Sequence, residues 1–362
     1  MKKKFFRPFL AALSLTALCG CSSSSYLAIS SSGNMTGGIY QVTDGSPVQK
    51  LALPTLNYLI KSPDNAFLYG TVARMPGRSK RRIGGVAFIE ARSDMMILRK
   101  LVSTEGQTPC HLAISPDGRH LYTANYSNGD ISEFKLENGY PLSPPRHLPH
   151  TGHSVTRRQK SPHPHFVGFH PVSKQLFVCD LGTDEIWIYD RTADGVTLPC
   201  TQKLTLAPGS GPRHLVFSPD GKSIFVANEL SSTVTSFHNR KGKWHLIKTA
   251  STRKGDAVTP NYPGAIKMTS CGKLFFVTNR GDDNIAIFTT LPNGEFKLVK
   301  TVASGGKYPS DILLMDDDRT LLTINLKSGT AARFTLNKAA ADLVPVAGEI
   351  PVPRGIGLCV AE

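Results

Sequence analysis

Short stretches in which apolar and polar residues alternate recur along most of the chain, and turn residues separate them. A period of two is typical of half-buried β-strands. Between residues 211 and 249 the alternating stretches are 211–217, 223–227, 232–237 and 244–249. Ser-Pro-Asp-Gly at 218–221 and Lys-Gly-Lys at 241–243 supply residues that favour tight turns. This region therefore predicts four antiparallel strands joined by turns.

The hairpin at the start of this pattern occurs six times, with its turn beginning at Ser62, Ser115, His170, Ser218, Thr269 and Met315. The spacings between these turns are 53, 55, 48, 51 and 46 residues. A repeat of that length with four strands is typical of the blades of a β-propeller. The full four-strand pattern also occurs at 109–148, 164–206, 262–302 and, more weakly, 309–347.

The two ends of the chain supply the material for a seventh blade. Residues 354–361 resemble a first strand that no second strand follows, whereas 26–29, 38–42 and 48–51 resemble the second, third and fourth. Joining them closes the ring and removes two exposed sheet edges. We therefore expect an all-β protein, a seven-bladed β-propeller over residues 26–362, closed by one C-terminal strand with three N-terminal strands. Six or eight blades are the alternatives.

The N-terminal segment has the features of an export leader. It combines a basic start at residues 2–7, an apolar run at 8–18 and the sequence Leu-Cys-Gly-Cys ending at Cys21. The last motif resembles the lipobox of bacterial lipoproteins. We expect a signal peptide over residues 1–20, a lipid on Cys21 and a short linker over 21–25. The predicted location is the bacterial cell envelope, with the protein membrane-anchored, facing the periplasm and in the outer membrane. An ordinary signal peptide or a short membrane anchor is the alternative.

The chain is basic, with a formal net charge of +15 that falls to about +11 once the four positive charges of the leader are removed. Such a charge favours a small anionic ligand or an anionic membrane surface. The basic run at 78–82 has no interleaved aromatic residues for base stacking. We therefore expect no nucleic-acid partner, and the sequence does not specify an oligomeric state.

Sequence signatures of metal and cofactor chemistry are absent. There is no C-x-x-C pair, no Cys/His zinc spacing, no phosphate-binding glycine loop and no G-x-S-x-G elbow. No metal and no cofactor are expected. Five cysteines remain beyond the leader and Cys21, an odd number that cannot all pair, at positions Cys110, Cys179, Cys200, Cys271 and Cys359. Cys179 and Cys359 stand in apolar strand patterns and are expected in the core.

The repeat itself indicates where unusual residues meet. In each hairpin, the start of the first strand and the position just after the second strand lie at the same end, because the strands are antiparallel. The residues at the start of the first strand, here called the early positions, are Asn57, Cys110, His165, Arg213, Gly264 and Ser310. The residues just after the second strand, here called the late positions, are Ala73, Tyr126, Leu181, Glu229, Arg280 and Leu326. One histidine and three charged residues therefore collect on three consecutive blades, at one rim of the channel.

We predict that His165, Arg213, Glu229 and Arg280 form a catalytic site. Two guanidiniums can hold an anionic ligand or stabilise an oxyanion. Glu229 or His165 can act as the general base or acid, and the sequence leaves that choice open. A set of Arg–Glu pairs with a purely structural role is the alternative.

Further candidates for substrate binding are His111, His214, Asp311 and His163. The first three stand one position after the early position, so strict alternation predicts that they point away from His165 and Arg213. Packing or hydrogen bonding between blades is therefore the alternative role for them. A polar column at the end of the second strand is expected to cap turns, and it consists of Asn125, Asp180, Asn228, Asn279 and Asn325.

Several of these segments resemble those of the seven-bladed propeller lactonases, a family that includes the propeller type of 6-phosphogluconolactonase and a fungal carboxymuconate-lactonizing enzyme. The segments are SPHPHFVGFHP from residue 161, GSGPRHLVFSPDGKSIFVANELSSTV from residue 209 and FFVTNRGDDNIAIF from residue 275. FVCDLGTDEIWIYD from residue 177 and SGGKYPSDI from residue 304 complete the set. The resemblance implies that His165, Arg213, Glu229 and Arg280 line the site.

The activity that the resemblance implies is hydrolysis of a sugar lactone, with 6-phospho-D-glucono-1,5-lactone as the default substrate. The ligand would be a small anionic sugar lactone or a similar acid. The predicted export leader does not fit a phosphorylated cytosolic metabolite, so an unphosphorylated lactone is also considered. The alternative of another class is a non-enzymatic, lipid-anchored propeller that binds ligands or proteins in the envelope.

Overall fold

The computed structural model describes residues 25–76, 83–92, 95–255, 259–315 and 317–361. The predicted leader, Cys21 and the basic run at 78–82 lie outside these ranges, so the structure does not bear on them. Within the described ranges, the helical segment is a single short turn, Pro292–Gly294. No helix among these residues has the length and apolar character needed to cross a membrane.

Six four-stranded antiparallel sheets follow one another along the chain, and we number them blades 1 to 6, with strands first to fourth from the channel outward. The strands of blade 1 are Leu56–Lys61, Phe67–Val72, Ile83–Ala91 and Met96–Gln107, and those of blade 2 are Pro109–Ile114, His120–Asn125, Asp130–Glu137 and Arg146–Pro149. The strands of blade 3 are Pro164–Phe169, Leu176–Asp180, Glu185–Tyr189 and Gln202–Thr205, and those of blade 4 are Pro212–Phe217, Ser223–Asn228, Thr233–Arg240 and Lys243–Ser251. The strands of blade 5 are Tyr262–Met268, Leu274–Arg280, Asn284–Thr290 and Phe296–Ala303, and those of blade 6 are Pro309–Met315, Thr320–Asn325, Thr330–Asn337 and Asp342–Pro351. Short additional strands are Tyr140–Pro141 in blade 2 and the hairpin of Arg191–Thr192 with Gly195–Val196.

Blade 7 joins the two ends of the chain. Its first strand is Gly355–Val360, and the N-terminal strands Ser25–Ser30, Gly38–Thr43 and Ser46–Ala52 follow outward. The junction is antiparallel, with Tyr26 opposite Val360. The first strands of neighbouring blades contact one another in a closed circle around the channel. The predicted seven blades and the predicted closure are confirmed.

The hydrophobic core is divided among the gaps between blades. Each of the seven gaps in the described ring contains its own cluster of buried residues, because both faces of every blade are covered by a neighbour. Between blades 6 and 7, for example, Ile324 packs with Tyr26 and Ala28 of the N-terminal strand Ser25–Ser30. Cys179 is fully buried, and the five cysteines in the described ranges are free thiols.

Four residues of the polar column at the end of the second strand cap turns, as predicted, whereas the amide of the fifth, Asn325, donates to the Ser304 carbonyl instead. The Asn125 amide donates to Asp130 Oδ1 at 2.8 Å, across the turn into the third strand. Asn228 does the same to Thr233 Oγ1 at 2.9 Å. These turns lie at the same end of the blades as Glu229. They therefore fix the backbone from which the candidate site residues project.

A β-bulge interrupts the first strand of blades 1 to 6 immediately after the strand begins. In blade 4 the register of pairing shifts between Pro212 and His214, and in blade 3 it shifts between Pro164 and Phe166. A bulge places two residues opposite one, so strict alternation of side chains fails there. The early positions of the repeat, such as Arg213, are the bulged residues.

The N-terminal strand Ser25–Ser30, which pairs with the C-terminal strand, gives a test of ring closure. Ala28 is fully buried in the gap between blades 6 and 7, whereas Val48 on the outermost strand of the same blade is 56% exposed. Ala28→Asp buries an unpaired carboxylate and should cost about 4 kcal/mol or more of unfolding free energy in urea titrations. Val48→Asp should stay within about 0.5 kcal/mol of wild type. Equal effects of the two changes would contradict the closure.

Candidate active site at the channel mouth

A buried carboxylate lies at the centre of the candidate site. Glu229 directly follows the second strand of blade 4, and its side chain is 6% exposed. Arg280, the last residue of the second strand of blade 5, donates from NH2 to Glu229 Oε2 at 2.6 Å. Arg213, in the bulge of blade 4, places its Nε 3.1 Å from the same oxygen. Three of the four rim residues that the repeat selects are therefore in direct contact.

Backbone carbonyls of blade 5 hold both guanidiniums. Arg280 donates from Nε to Tyr262 O at 2.9 Å, and Arg213 donates from NH1 to Gly264 O at 2.9 Å. A side chain at Gly264 would not fit, because a Cβ there would lie 2.6 Å from Thr278 Oγ1 and 3.3 Å from Arg280 Nε. The absence of a side chain at Gly264, the early position of blade 5, thus leaves room for the arginines.

A third guanidinium comes from the connection between blades 2 and 3. Arg158 donates from NH1 to Glu229 Oε1 at 2.6 Å and from NH2 to the Tyr126 hydroxyl at 3.1 Å. The connection between blades 2 and 3 therefore reaches the channel mouth. Arg158 itself is a functional candidate that sequence reasoning missed. It stands in an irregular connection outside the columns of the repeat, so the repeat gives no signal for it.

Two buried aspartates of blade 3 fix this connection. Asp184 accepts hydrogen bonds from Ser154 Oγ at 2.5 Å and from Gln159 Nε2 at 2.8 Å. Asp180 accepts from the backbone N–H of His163 at 2.7 Å, and His150 Nδ1 lies 2.6 Å from its other oxygen. Because both ends and the middle of the connection are held, Arg158 reaches Glu229 from a defined backbone.

The arginines keep the central carboxylate ionised. Burial raises the pKa of Glu229, but the charges of Arg280, Arg213 and Arg158 outweigh it and hold the pKa well below its ordinary value. Burial, and then the neighbouring Arg280, lowers the pKa of Arg213 to about 10, so this guanidinium still carries its charge at neutral pH. The site therefore combines three cations with one anion.

His165 stands beside this cluster as a neutral imidazole. Burial and then Arg213 lower its pKa well below 6.5. Its ring lies edge-on to Tyr126, with ring centres 5.7 Å apart. Its Nδ1 has no hydrogen-bond partner in the described part of the chain. Unlike Glu229, this group is both uncharged and free of an ion pair.

The expected direction of His214 is wrong. The ring of His214 lies 5.1 Å from that of His165, and its Nε2 is 3.3 Å from Arg213 NH1. The ring of His111 lies 5.1 Å from that of His214, and its Nδ1 accepts the backbone N–H of Val167 in blade 3 at 3.4 Å, which is the hydrogen bond between blades considered as its alternative role. The bulge explains the difference, because it allows consecutive residues of the first strand to face the same side. Burial is the first cause that lowers the pKa of both, so a row of three neutral imidazoles lines the channel.

Asp311 and His163 occupy supporting positions. The Asp311 carboxylate accepts backbone N–H groups of Ile312 at 2.9 Å and Leu358 at 3.0 Å. It thus links blade 6 to blade 7, which is the inter-blade role considered from the sequence. His163 stacks on Tyr126, with ring centres 4.5 Å apart. Its Nδ1 lies 2.8 Å from the Tyr126 carbonyl oxygen, so His163 supports Tyr126 at the rim.

The donor set suits stabilisation of negative charge. Guanidiniums can bind a carboxylate, a phosphate or a developing oxyanion. No group of three or more His, Cys, Asp or Glu side chains within the described ranges is arranged to hold a metal ion. The chemistry that these residues offer is thus electrostatic stabilisation together with proton transfer.

Comparison with known proteins identifies the relatives of this arrangement. Residues 15–361 match the family described as lactonase, 7-bladed beta-propeller. The chain belongs to the propeller lactonase family. A 6-phosphogluconolactonase of Bacillus subtilis is 31% identical to this propeller lactonase over 310 residues, which cover 84% of the chain and 86% of the relative.

Solved structures of other propeller lactonases superpose over nearly the whole chain. A candidate 6-phosphogluconolactonase from Bacteroides fragilis has 28% identity and a TM-score of 0.83, covering 93% of this chain and 98% of that one. A periplasmic gluconolactonase from Pseudomonas aeruginosa has 23% identity and a TM-score of 0.83, with coverage of 92% and 98%. At that lower identity, the second comparison shows the shared fold.

The buried imidazoles of this propeller lactonase make its stability depend on pH. Below pH 6.5 the unfolded chain takes up protons that folded His165 resists, because its folded pKa is lowered. Stability should therefore fall between pH 7 and pH 5. His165→Gln should reduce that slope by up to about 1.4 kcal/mol per pH unit in urea titrations.

The exposed His245 gives the matched control, and His245→Gln should keep the wild-type slope. A His165→Gln variant whose stability changes with pH as steeply as wild type would show that His165 takes up a proton in the folded protein as readily as in the unfolded chain.

Proposed function

We propose that the protein hydrolyses a sugar lactone, with 6-phospho-D-glucono-1,5-lactone as the default substrate. The observation that carries the proposal is the cluster of Arg213, Arg280 and Arg158 around Glu229, with the neutral imidazole of His165 beside it. Ester hydrolysis needs a group that takes a proton from water and a group that stabilises an oxyanion. The membership of the lactonase family supports the same class of reaction.

His165 suits the role of general base better than Glu229 does. Both oxygens of Glu229 accept guanidinium hydrogen bonds, so protonation of either oxygen would disrupt an ion pair. The imidazole of His165 is neutral at pH 7, and its Nδ1 has no hydrogen-bond partner in the described part of the chain, so this nitrogen can accept a proton from water. Glu229 instead anchors the guanidiniums in fixed positions.

The proposed reaction proceeds by attack of water on the lactone carbonyl. His165 takes a proton from the water as its oxygen bonds to the carbonyl carbon, and Arg213 or Arg280 stabilises the oxyanion that forms. The bond between the carbonyl carbon and the ring oxygen then breaks, and protonated His165 returns its proton to that departing oxygen. The product is the open-chain hydroxy acid.

The charges at the mouth favour a substrate with an anionic substituent. Three guanidiniums face one carboxylate, so positive charge is in excess. The Lys327 ammonium adds to it, because it lies 4.4 Å from the centre of the Tyr308 ring, and the Arg280 guanidinium lies 5.4 Å from the same ring. A phosphate or carboxylate would be attracted to this side of the site.

The test measures acid release from δ-gluconolactone and from its 6-phosphate, over the spontaneous rate, by protein lacking residues 1–21. Substitution of Glu229 would leave buried guanidiniums uncompensated at a cost of about 3–5 kcal/mol, so the variant of choice is His165→Gln. Loss of the general base should lower kcat by about 100-fold or more.

His245→Gln, on the exposed outer strand of blade 4, serves as the control and should retain wild-type turnover. Wild-type protein that adds nothing to spontaneous hydrolysis of either lactone would refute the proposal and favour the non-enzymatic binding role. A fully active His165→Gln variant would contradict the role of His165 as the general base and leave the proposed lactone hydrolysis intact.

We further propose that the mature protein is anchored to the bacterial envelope through a lipid on Cys21, on the basis of the leader motif at 18–21. In a bacterial host, wild-type protein should incorporate radioactive palmitate and fractionate with membranes. Cys21→Ser should abolish both, whereas Cys271→Ser should change neither. Palmitate labelling that persists in the Cys21→Ser variant would contradict the assignment.

A further inference from the structure

Tyr126 occupies the same position in blade 2 that Glu229 and Arg280 occupy in blades 4 and 5. It directly follows the second strand, His120–Asn125, and so projects at the channel mouth. The connection that carries Arg158 passes over it. The repeat therefore places a phenol on the rim that the charged cluster shares.

The phenol of Tyr126 is held on three sides. His163 stacks on its ring at 17° and donates from Nδ1 to the Tyr126 carbonyl at 2.8 Å. His165 meets the ring edge-on. Arg158 donates to its hydroxyl oxygen at 3.1 Å. Of these three groups, Arg158 also contacts Glu229, and His165 itself belongs to the candidate catalytic site.

The hydroxyl hydrogen of Tyr126 remains available. A guanidinium can only donate, so the phenolic oxygen accepts from Arg158 and its own hydrogen points elsewhere. That hydroxyl makes no other hydrogen bond within the described ranges. The positive charge of Arg158 polarises the O–H group, which makes it a stronger donor.

We propose that Tyr126 is a specificity-determining residue, whose hydroxyl donates a hydrogen bond to a hydroxyl oxygen of a polyhydroxylated lactone ring. Arg158 is its positioning residue, because one guanidinium holds both the Tyr126 hydroxyl and Glu229 Oε1. The pair therefore couples recognition of the sugar to the site of ring opening. This inference rests on the proposed lactone hydrolysis.

The test compares δ-gluconolactone with δ-valerolactone, which has the same ester ring and no hydroxyl groups. Tyr126→Phe removes one oxygen and keeps the stacked ring. The ratio of kcat/KM for δ-gluconolactone to that for δ-valerolactone should fall by about 3- to 10-fold, the range expected for one neutral hydrogen bond. A purely structural role would change both substrates alike and leave the ratio unchanged.

Variants of the connection separate the two functions of Arg158. Arg158→Lys keeps a charge near Glu229 but loses the planar fork that reaches both partners, so its ratio should resemble that of Tyr126→Phe. Arg157→Gln alters an exposed neighbour on the same connection and should behave as wild type. A wild-type ratio in both Tyr126→Phe and Arg158→Lys would overturn the inference while leaving the proposed hydrolysis intact.

Calorimetric binding of D-gluconate, the open-chain product, tests the pair without turnover. It decides the matter if wild-type protein hydrolyses neither lactone, or hydrolyses δ-gluconolactone alone. In that case, about 3- to 10-fold weaker binding by Tyr126→Phe than by wild type supports the inference. Equal affinities, or no binding by wild type, overturn it.

Discussion

The structure around the channel mouth depends on one buried carboxylate shared by three guanidiniums. Glu229 joins Arg213 of its own blade, Arg280 of the next blade and Arg158 of a distant connection. Removing one partner of a buried ion pair typically costs about 3–5 kcal/mol, which applies to the pairs with Arg213 and Arg280, whereas the Arg158 side chain is 45% exposed and its pair contributes less. The arginines are consequently preorganised for an anion before any ligand arrives, and Glu229 acts as their anchor.

The propeller supplies the positions that this interaction needs. Closure of the ring by Gly355–Val360 with Ser25–Ser30 fixes the radius of the channel. The bulge at the start of the first strand of blade 4 then breaks the strict alternation of side chains there. In blade 4 this brings Arg213 and His214 into contact. A regular strand would direct only one of them toward the channel.

The sequence is sufficient for the ring and for the central contacts, because both follow from the repeat. The turn residues and strand period predict the blades, and the two columns predict that Glu229 and Arg280 meet. Two features escape the same reasoning. The direction of His214 depends on a bulge, which a period of two cannot represent. The contact of Arg158 depends on how Asp180 and Asp184 fold an irregular connection, and no repeat constrains that path.

The protonation of Glu229 tests the account most directly. A ¹³C NMR titration of the labelled carboxyl groups, with the signal of Glu229 assigned from its loss in Glu229→Gln, would follow this group alone. The account predicts that Glu229 stays ionised until the pH falls below 4.5, the ordinary pKa of a glutamate, because the guanidiniums lower the pKa of this carboxyl group. A midpoint near or above about 6, where a general base at neutral pH would titrate, would contradict it.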